Sequence, residues 1–171
     1  ASGQSRPNQC DPLFEKAQER GVIDAAAIWN RQLLAFKANS YGLVRYLAKK
    51  LDDTKYDTAS DWLQTLYRRP DKVDTLPTSI KPEQRQLLLA AGVHRWAYKD
   101  TVAARRWFED HSRRQGLRDD ALRAEAGRRI AWYSTIRGIE ENRQWLDGWL
   151  AASASASSAS GDGVSLTRLL S

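Results

Sequence analysis

The stretch AAAIWNRQLLAFKANSYGLVRYLAKKL, residues 25–51, decides the fold. Ile28, Trp29, Leu33 and Phe36 recur at helical spacing, and Leu43, Val44, Leu47 and Leu51 form a second apolar stripe. Side chains three and four apart share one face of an α-helix. Between the stripes, Ala38-Asn39-Ser40 leaves room only for a tight turn. The span therefore predicts two antiparallel helices, the first capped by Asp24 and the second restarted at Ser40.

Working outward, the same punctuation repeats. Asp11-Pro12 offers an N-cap with proline at the first helical position, and Gly21 ends that short helix. Trp62, Leu63, Leu66 and Tyr67 form a third stripe that stops before Pro70. Asp71 to Ile80 reads as a turn or two of helix plus a loop. Pro82 opens a long helix carrying Leu87, Leu88, Ala91, Trp96 and Ala97. Asp100 caps a helix with Val102, Ala103, Trp107 and Phe108, expected to end at Gly116. Asp119 caps another, with Leu122, Ala126, Ile130, Tyr133 and Ile136, expected to end at Gly138. A last helix holds Trp145, Leu146 and Trp149. No stretch alternates apolar and polar residues as a strand would. The expected fold is all-α: an irregular helical-hairpin solenoid of about eight helices, preferred over a closed bundle.

Composition changes sharply at Ala151, where an Ala/Ser run leads into Gly161-Asp162-Gly163 and then Val164 to Ser171. Residues 1–150 thus read as the helical segment and 151–163 as a flexible linker. Residues 164–171 read as a short amphipathic peptide whose Val164, Leu166, Leu169 and Leu170 would dock in a groove. No apolar run is long enough to span a membrane.

The chain carries 27 Lys and Arg against 21 Asp and Glu, a net charge of +6. Such an excess draws a protein towards polyanions, whether nucleic acid or a carboxylate-rich wall polymer. Acids are interleaved with the bases on the same helices, Glu109-Asp110 beside Arg113-Arg114 and Glu125 beside Arg128-Arg129. That interleaving argues for solvated, internally paired faces and against a nucleic-acid interface.

Candidates for catalysis are few. His94 and His111 lie on separate helices, with no cysteine or second histidine at ligand spacing, so neither metal nor cofactor is expected. The pairs Asp52-Asp53, Asp119-Asp120 and Glu140-Glu141 point about 100° apart on a helix and so do not converge on one bond. Helix capping is their better explanation. Seven tryptophans fall mostly on the apolar stripes, where packing accounts for them. Trp145 and Trp149 on the last helix are the pair most open to another role.

Three stretches together resemble the superhelical part of soluble lytic murein transglycosylases, over roughly Arg6 to Leu150. The first is Pro7-Asn8-Gln9-Cys10-Asp11-Pro12-Leu13-Phe14 with Ala35-Phe36-Lys37-Ala38-Asn39-Ser40-Tyr41-Gly42-Leu43-Val44. The second is Tyr56-Asp57-Thr58-Ala59-Ser60 leading to Arg69-Pro70, and the third runs from Pro82-Glu83-Gln84-Arg85 through Asp119 to Ile130-Ala131-Trp132. The resemblance implies a periplasmic location and peptidoglycan as the partner. Enzymes of this family cleave the MurNAc–GlcNAc bond, leaving 1,6-anhydromuramyl ends, with one glutamate of a separate lysozyme-like domain. That glutamate stands in a Glu-Ser pair followed by a Gly-Leu-Met-Gln-like stretch. This chain has neither the pair nor any methionine, so no catalytic residue carries over. The resemblance also suggests an upstream disulfide partner for Cys10, a buried thiol being the alternative.

The expectation is a non-catalytic scaffold that helps hold or position glycan strands. Its candidate contacts are Arg105, Arg106, Arg128 and Arg129, together with Trp145 and Trp149. The alternative is a helical interaction module whose groove takes a peptide such as the C-terminal tail.

Overall fold

The computed structural model describes residues 24–52 and 54–159. Among them are seven α-helices, two short 3-10 helices and no strand. The fold class is the expected one, all-α and built of helical hairpins. The chain divides into two compact units between Arg95 and Trp96, inside its fourth helix. The expected helix at Asp11–Gly21, together with Cys10, Val164, Leu166, Leu169 and Leu170, lies outside the described residues.

In the first unit, α1 (Ala25–Lys37) begins where Asp24 accepts the Ala27 N–H at 2.8 Å. Its buried face is Ile28, Trp29, Gln32, Ala35 and Phe36. Asn39 then adopts φ +57°, a left-handed conformation that asparagine tolerates. Around it the Ala38 N–H donates to the Leu34 carbonyl and the Ser40 N–H to the Ala35 carbonyl, satisfying the end of α1. The chain reverses into α2 (Tyr41–Lys49), which buries Leu43, Val44, Leu47 and Ala48. Next, α3 (Asp57–Arg68) buries Ala59, Ser60, Leu63 and Leu66, and Pro70 starts a 3-10 turn, Pro70–Thr75, that buries Val73.

Three devices lock this unit. Gln32, fully buried, donates from Nε2 to the Val44 carbonyl at 3.1 Å and to Ser60 Oγ at 2.8 Å, tying α1 to α2 and α3. Tyr67 stacks on Tyr41 with centroids 4.6 Å apart and donates its hydroxyl to the Asn39 carbonyl at 2.7 Å. Arg95, from α4 (Pro82–Lys99), covers the Tyr67 ring at 4.0 Å and donates to the Asn39 side chain and the Tyr67 carbonyl. The turn at residue 39 is thus gripped from two helices. Finally, α4 approaches the 3-10 turn at Gly92, where an added Cβ would lie 2.2 Å from Val73 Cγ1.

In the second unit, Asp100 caps α5 (Thr101–Asp110) by accepting the Ala103 N–H at 3.0 Å. The helix ends at Asp110 and not at the expected Gly116. Ser112, buried, donates its hydroxyl back to the Phe108 carbonyl, a bond that bends a helix and competes with its ladder. The Leu117 N–H turns to the Ser112 carbonyl, which carries the Leu117 side chain fully into the core. Gly116 serves that turn with φ +99°.

Asp119 caps α6 (Asp120–Ile136) at the Leu122 N–H, 2.9 Å, and Gly138 at φ +58° follows its end. A 3-10 turn, Glu140–Asn142, leads into α7 (Arg143–Ala159). The composition break at Ala151, read from sequence as the start of a linker, falls inside α7. Alanine is the best helix former and serine a tolerable one, so an Ala/Ser run continues a helix already nucleated upstream.

Candidate functional site

The expected contacts divide into two groups. Arg105 and Arg106 are engaged inside the second unit. Arg105 Nε donates to Asn142 Oδ1 at 3.1 Å and Nη1 pairs with Glu109 at 2.6 Å. Asn142 is fully buried and donates to Ser134 Oγ at 2.8 Å, whose hydroxyl donates to the Ile130 carbonyl. This chain of bonds joins α5, α6 and the 3-10 turn. Arg106 forms an ion pair with Glu141, and Glu140 pairs with Arg143. These glutamates therefore act as partners for arginines, and Asp119 acts as a cap.

Trp145 and Trp149 form the second group. The indoles stack with centroids 6.1 Å apart and planes 23° apart, one helical turn separating them on α7. Trp149 lies directly on α6 at Gly127, where an added Cβ would come within 2.7 Å of Nε1. Only glycine lets the indole approach so closely. Both tryptophans keep part of their surface exposed. Arg128 and Arg129 are exposed as well. One residue advances a helix by about 100°, so on α6 Arg128 lies about 100° and Arg129 about 200° round from Gly127.

Sequence reasoning passed over two further clusters. Arg137 donates to Thr101 Oγ1 at 3.1 Å and to the Tyr98 carbonyl at 2.7 Å, and packs over the rings of Tyr98 and Tyr133. Tyr98 is 45% exposed. In the first unit, burial first and then the like charges of Asp57 and Asp52 raise the pKa of Asp61. The spacing of Asp57 and Asp61 on α3 signalled that repulsion. Among the described residues, no three potential ligands come together as a metal site. None of their helices is long and apolar enough to cross a membrane.

An all-α chain built of helical hairpins, with a part-exposed indole stack seated on a glycine, is what the geometry defines. The chain is homologous over 91% of its length to the soluble lytic murein transglycosylase of Escherichia coli, at 28% identity over 158 residues. The enzyme of the same name from Salmonella typhimurium is 38% identical over 72 residues, covering 42% of this chain. The 70-kDa soluble lytic transglycosylase of Escherichia coli, also solved in complex with bulgecin A, superposes with a TM-score of 0.71 at 25% identity over 87% of this chain. The chain spans 24% of the length of the Escherichia coli enzyme. No family model matches.

Proposed function

We propose that this chain is a non-catalytic helical scaffold that helps bind or position peptidoglycan glycan strands in the periplasm. In this reading, cleavage of MurNAc–GlcNAc bonds to 1,6-anhydromuropeptides belongs to another part of such enzymes. The observation that carries the proposal is the homology over 91% of the chain to a murein-cleaving enzyme. The net charge of +6 also favours a polymer bearing carboxylates. On the surface, the stacked Trp145 and Trp149 offer an apolar plate for the C–H face of a pyranose ring, and Arg128, exposed on α6 one residue after Gly127, offers donors.

Co-sedimentation with purified sacculi tests it. Trp145→Ala and Arg128→Gln should each weaken retention roughly fivefold, the loss expected for one aromatic or charged contact. Arg129→Gln, on the far side of α6, should leave retention unchanged. Arg128→Gln removes an exposed side chain, so its effect is not confounded by misfolding. Absence of retention by the wild-type chain, or retention indifferent to Trp145 and Arg128, rules the reading out.

A further inference from the structure

The ends of α4 and α6 meet in a cluster that the tryptophan site does not use. Arg137, the residue closing α6, reaches the last turn of α4. Its Nη2 donates to the Tyr98 carbonyl at 2.7 Å and its Nη1 to Thr101 Oγ1 at 3.1 Å. Thr101 is buried and donates its own hydroxyl to the Ala97 carbonyl at 2.9 Å, so the guanidinium is bonded to atoms the fold already fixes. Two rings frame it. The guanidinium carbon lies 4.7 Å from the Tyr133 centroid and 5.7 Å from that of Tyr98, and the rings meet edge to face at 5.8 Å. Direct contacts thus tie Arg137, Tyr98, Tyr133 and Thr101 into one site.

The exposed part of that site is a charge beside an aromatic surface. Arg137 is exposed, Tyr98 nearly half so, and Tyr133 is half-buried. Two of the five N–H donors of the guanidinium are spent on the end of α4, which leaves three. In the same unit Arg105, Arg106 and Arg143 each hold a glutamate, whereas among the described residues no carboxylate pairs with Arg137. The acids closest in sequence are engaged elsewhere. Asp100 accepts the Ala103 N–H, Glu140 pairs with Arg143 and Glu141 with Arg106. A carboxylate on an apolar carrier would meet both halves of the site, the guanidinium fork and the tyrosine ring. A neutral sugar would leave the charge unmatched, and a bare inorganic anion would leave the ring unused.

We propose that Arg137 and Tyr98 bind a carboxylate carried by the peptide chains of the wall polymer, an assignment that rests on the peptidoglycan reading above. The guanidinium is anchored before any ligand arrives, which lowers the ordering cost of binding.

The test titrates the full chain with N-acetyl-D-alanyl-D-alanine, and separately with its C-terminal amide, at constant ionic strength. NMR follows the Arg137 Nε–Hε group and the Tyr98 ring, with Arg45 and Arg113 as internal references. Saturable shifts at Arg137 and Tyr98 are expected with the acid, and binding about tenfold or more weaker with the amide. Arg137→Gln should weaken binding of the acid by a similar factor. Tyr98→Ala keeps the carbonyl that Arg137 bonds and should weaken it about threefold, so the proposal stays testable even where Arg137→Gln perturbs the fold. Unsaturable shifts, equal shifts at Arg45 and Arg113, equal binding of the amide, or undiminished binding by Tyr98→Ala would overturn the proposal.

Co-sedimentation separates this site from the tryptophan pair. Arg137→Gln should lower retention on native sacculi and match the wild-type chain on sacculi whose carboxylates have been amidated, where Trp145→Ala still lowers it. A deficit of Arg137→Gln that persists on amidated sacculi would overturn the assignment to wall carboxylates. Failure of the wild-type chain to sediment would defeat the peptidoglycan reading and the wall assignment with it, while the dipeptide titration would still decide the carboxylate site.

Discussion

Replacing Gly92 by alanine should destabilise the first unit even though alanine is the better helix former. Two terms of opposite sign compete. In a helix interior, alanine is favoured over glycine by about 1 kcal/mol. Against that, the new Cβ would stand 2.2 Å from Val73 Cγ1, with two Leu66 methyls at 3.4 and 3.5 Å. Reaching an ordinary carbon–carbon contact of about 3.5 Å requires Val73 to retreat by roughly 1.3 Å. Val73 and Leu66 are both fully buried, so neither side chain has open space to move into. Overpacking of a tight core costs typically 1–3 kcal/mol, and a clash this deep belongs at the upper end. The net loss is therefore about 2 kcal/mol, which lowers Tm by roughly 4–8 °C in a chain of this size.

Thermal melts followed by circular dichroism at constant protein concentration measure this loss. Gly42→Ala and Gly148→Ala are the built-in controls, since nothing lies within 4 Å of a Cβ at either position. Both should hold Tm or raise it, by up to about 1 kcal/mol of stability. Adding Val73→Ala to Gly92→Ala should recover part of the loss, because it removes the atom in the clash. An unchanged or raised Tm for Gly92→Ala would refute the reasoning, since propensity would then outweigh packing at this contact.

Gln32→Leu should cost about 1–3 kcal/mol in urea unfolding, although it places an apolar residue of similar size in an apolar face. The loss arises because the buried Ser60 hydroxyl and Val44 carbonyl lose their donor. A pH dependence is expected at Asp61. Its raised pKa means the folded state holds the proton more tightly than the unfolded chain does, so its ionised form opposes folding at neutral pH and ceases to do so below the ordinary value of 3.8. Asp61→Asn should thus add about 0.3 kcal/mol near neutrality, the scale of an i,i+4 like-charge pair, and nothing near pH 3. Melts at the two pH values check the sign. Asp71 behaves in the opposite sense. The hydrogen bond from Arg69 lowers its pKa, so its small surface contribution is present at neutral pH and fades as the pH falls through the lowered value.

Much of the fold was legible because its punctuation is local. Asp24, Asp100 and Asp119 each cap the helix that the apolar stripes required, and the residue 38–40 turn joins α1 to α2 as the spacing demanded. The end of α5 was not legible, because Gly116 is the stronger stop signal and Ser112 acts through a bond to its own helix. Gln32 sits inside an apolar stripe and acquires meaning only from Val44 and Ser60, which arrive from two other helices. Gly92 carries no turn signal, and its neighbour Val73 is known only from the packed structure.

The candidate contacts followed the same rule. Arg105 and Arg106 looked available in sequence because Asn142 and Glu141 lie 37 and 35 positions away. The tryptophan pair was visible from its i,i+4 spacing, whereas its seat on Gly127 needed α6 and α7 brought together.

The most direct test of the scaffold reading is to incubate the chain with purified peptidoglycan sacculi and analyse the soluble fraction by mass spectrometry for anhydromuropeptides. The account predicts that the chain is retained on the sacculi and that soluble anhydro products stay at the level of a heat-inactivated control. Anhydromuropeptides released above that control would contradict it, and would place catalytic carboxylates among the residues assigned here to helix caps and ion pairs.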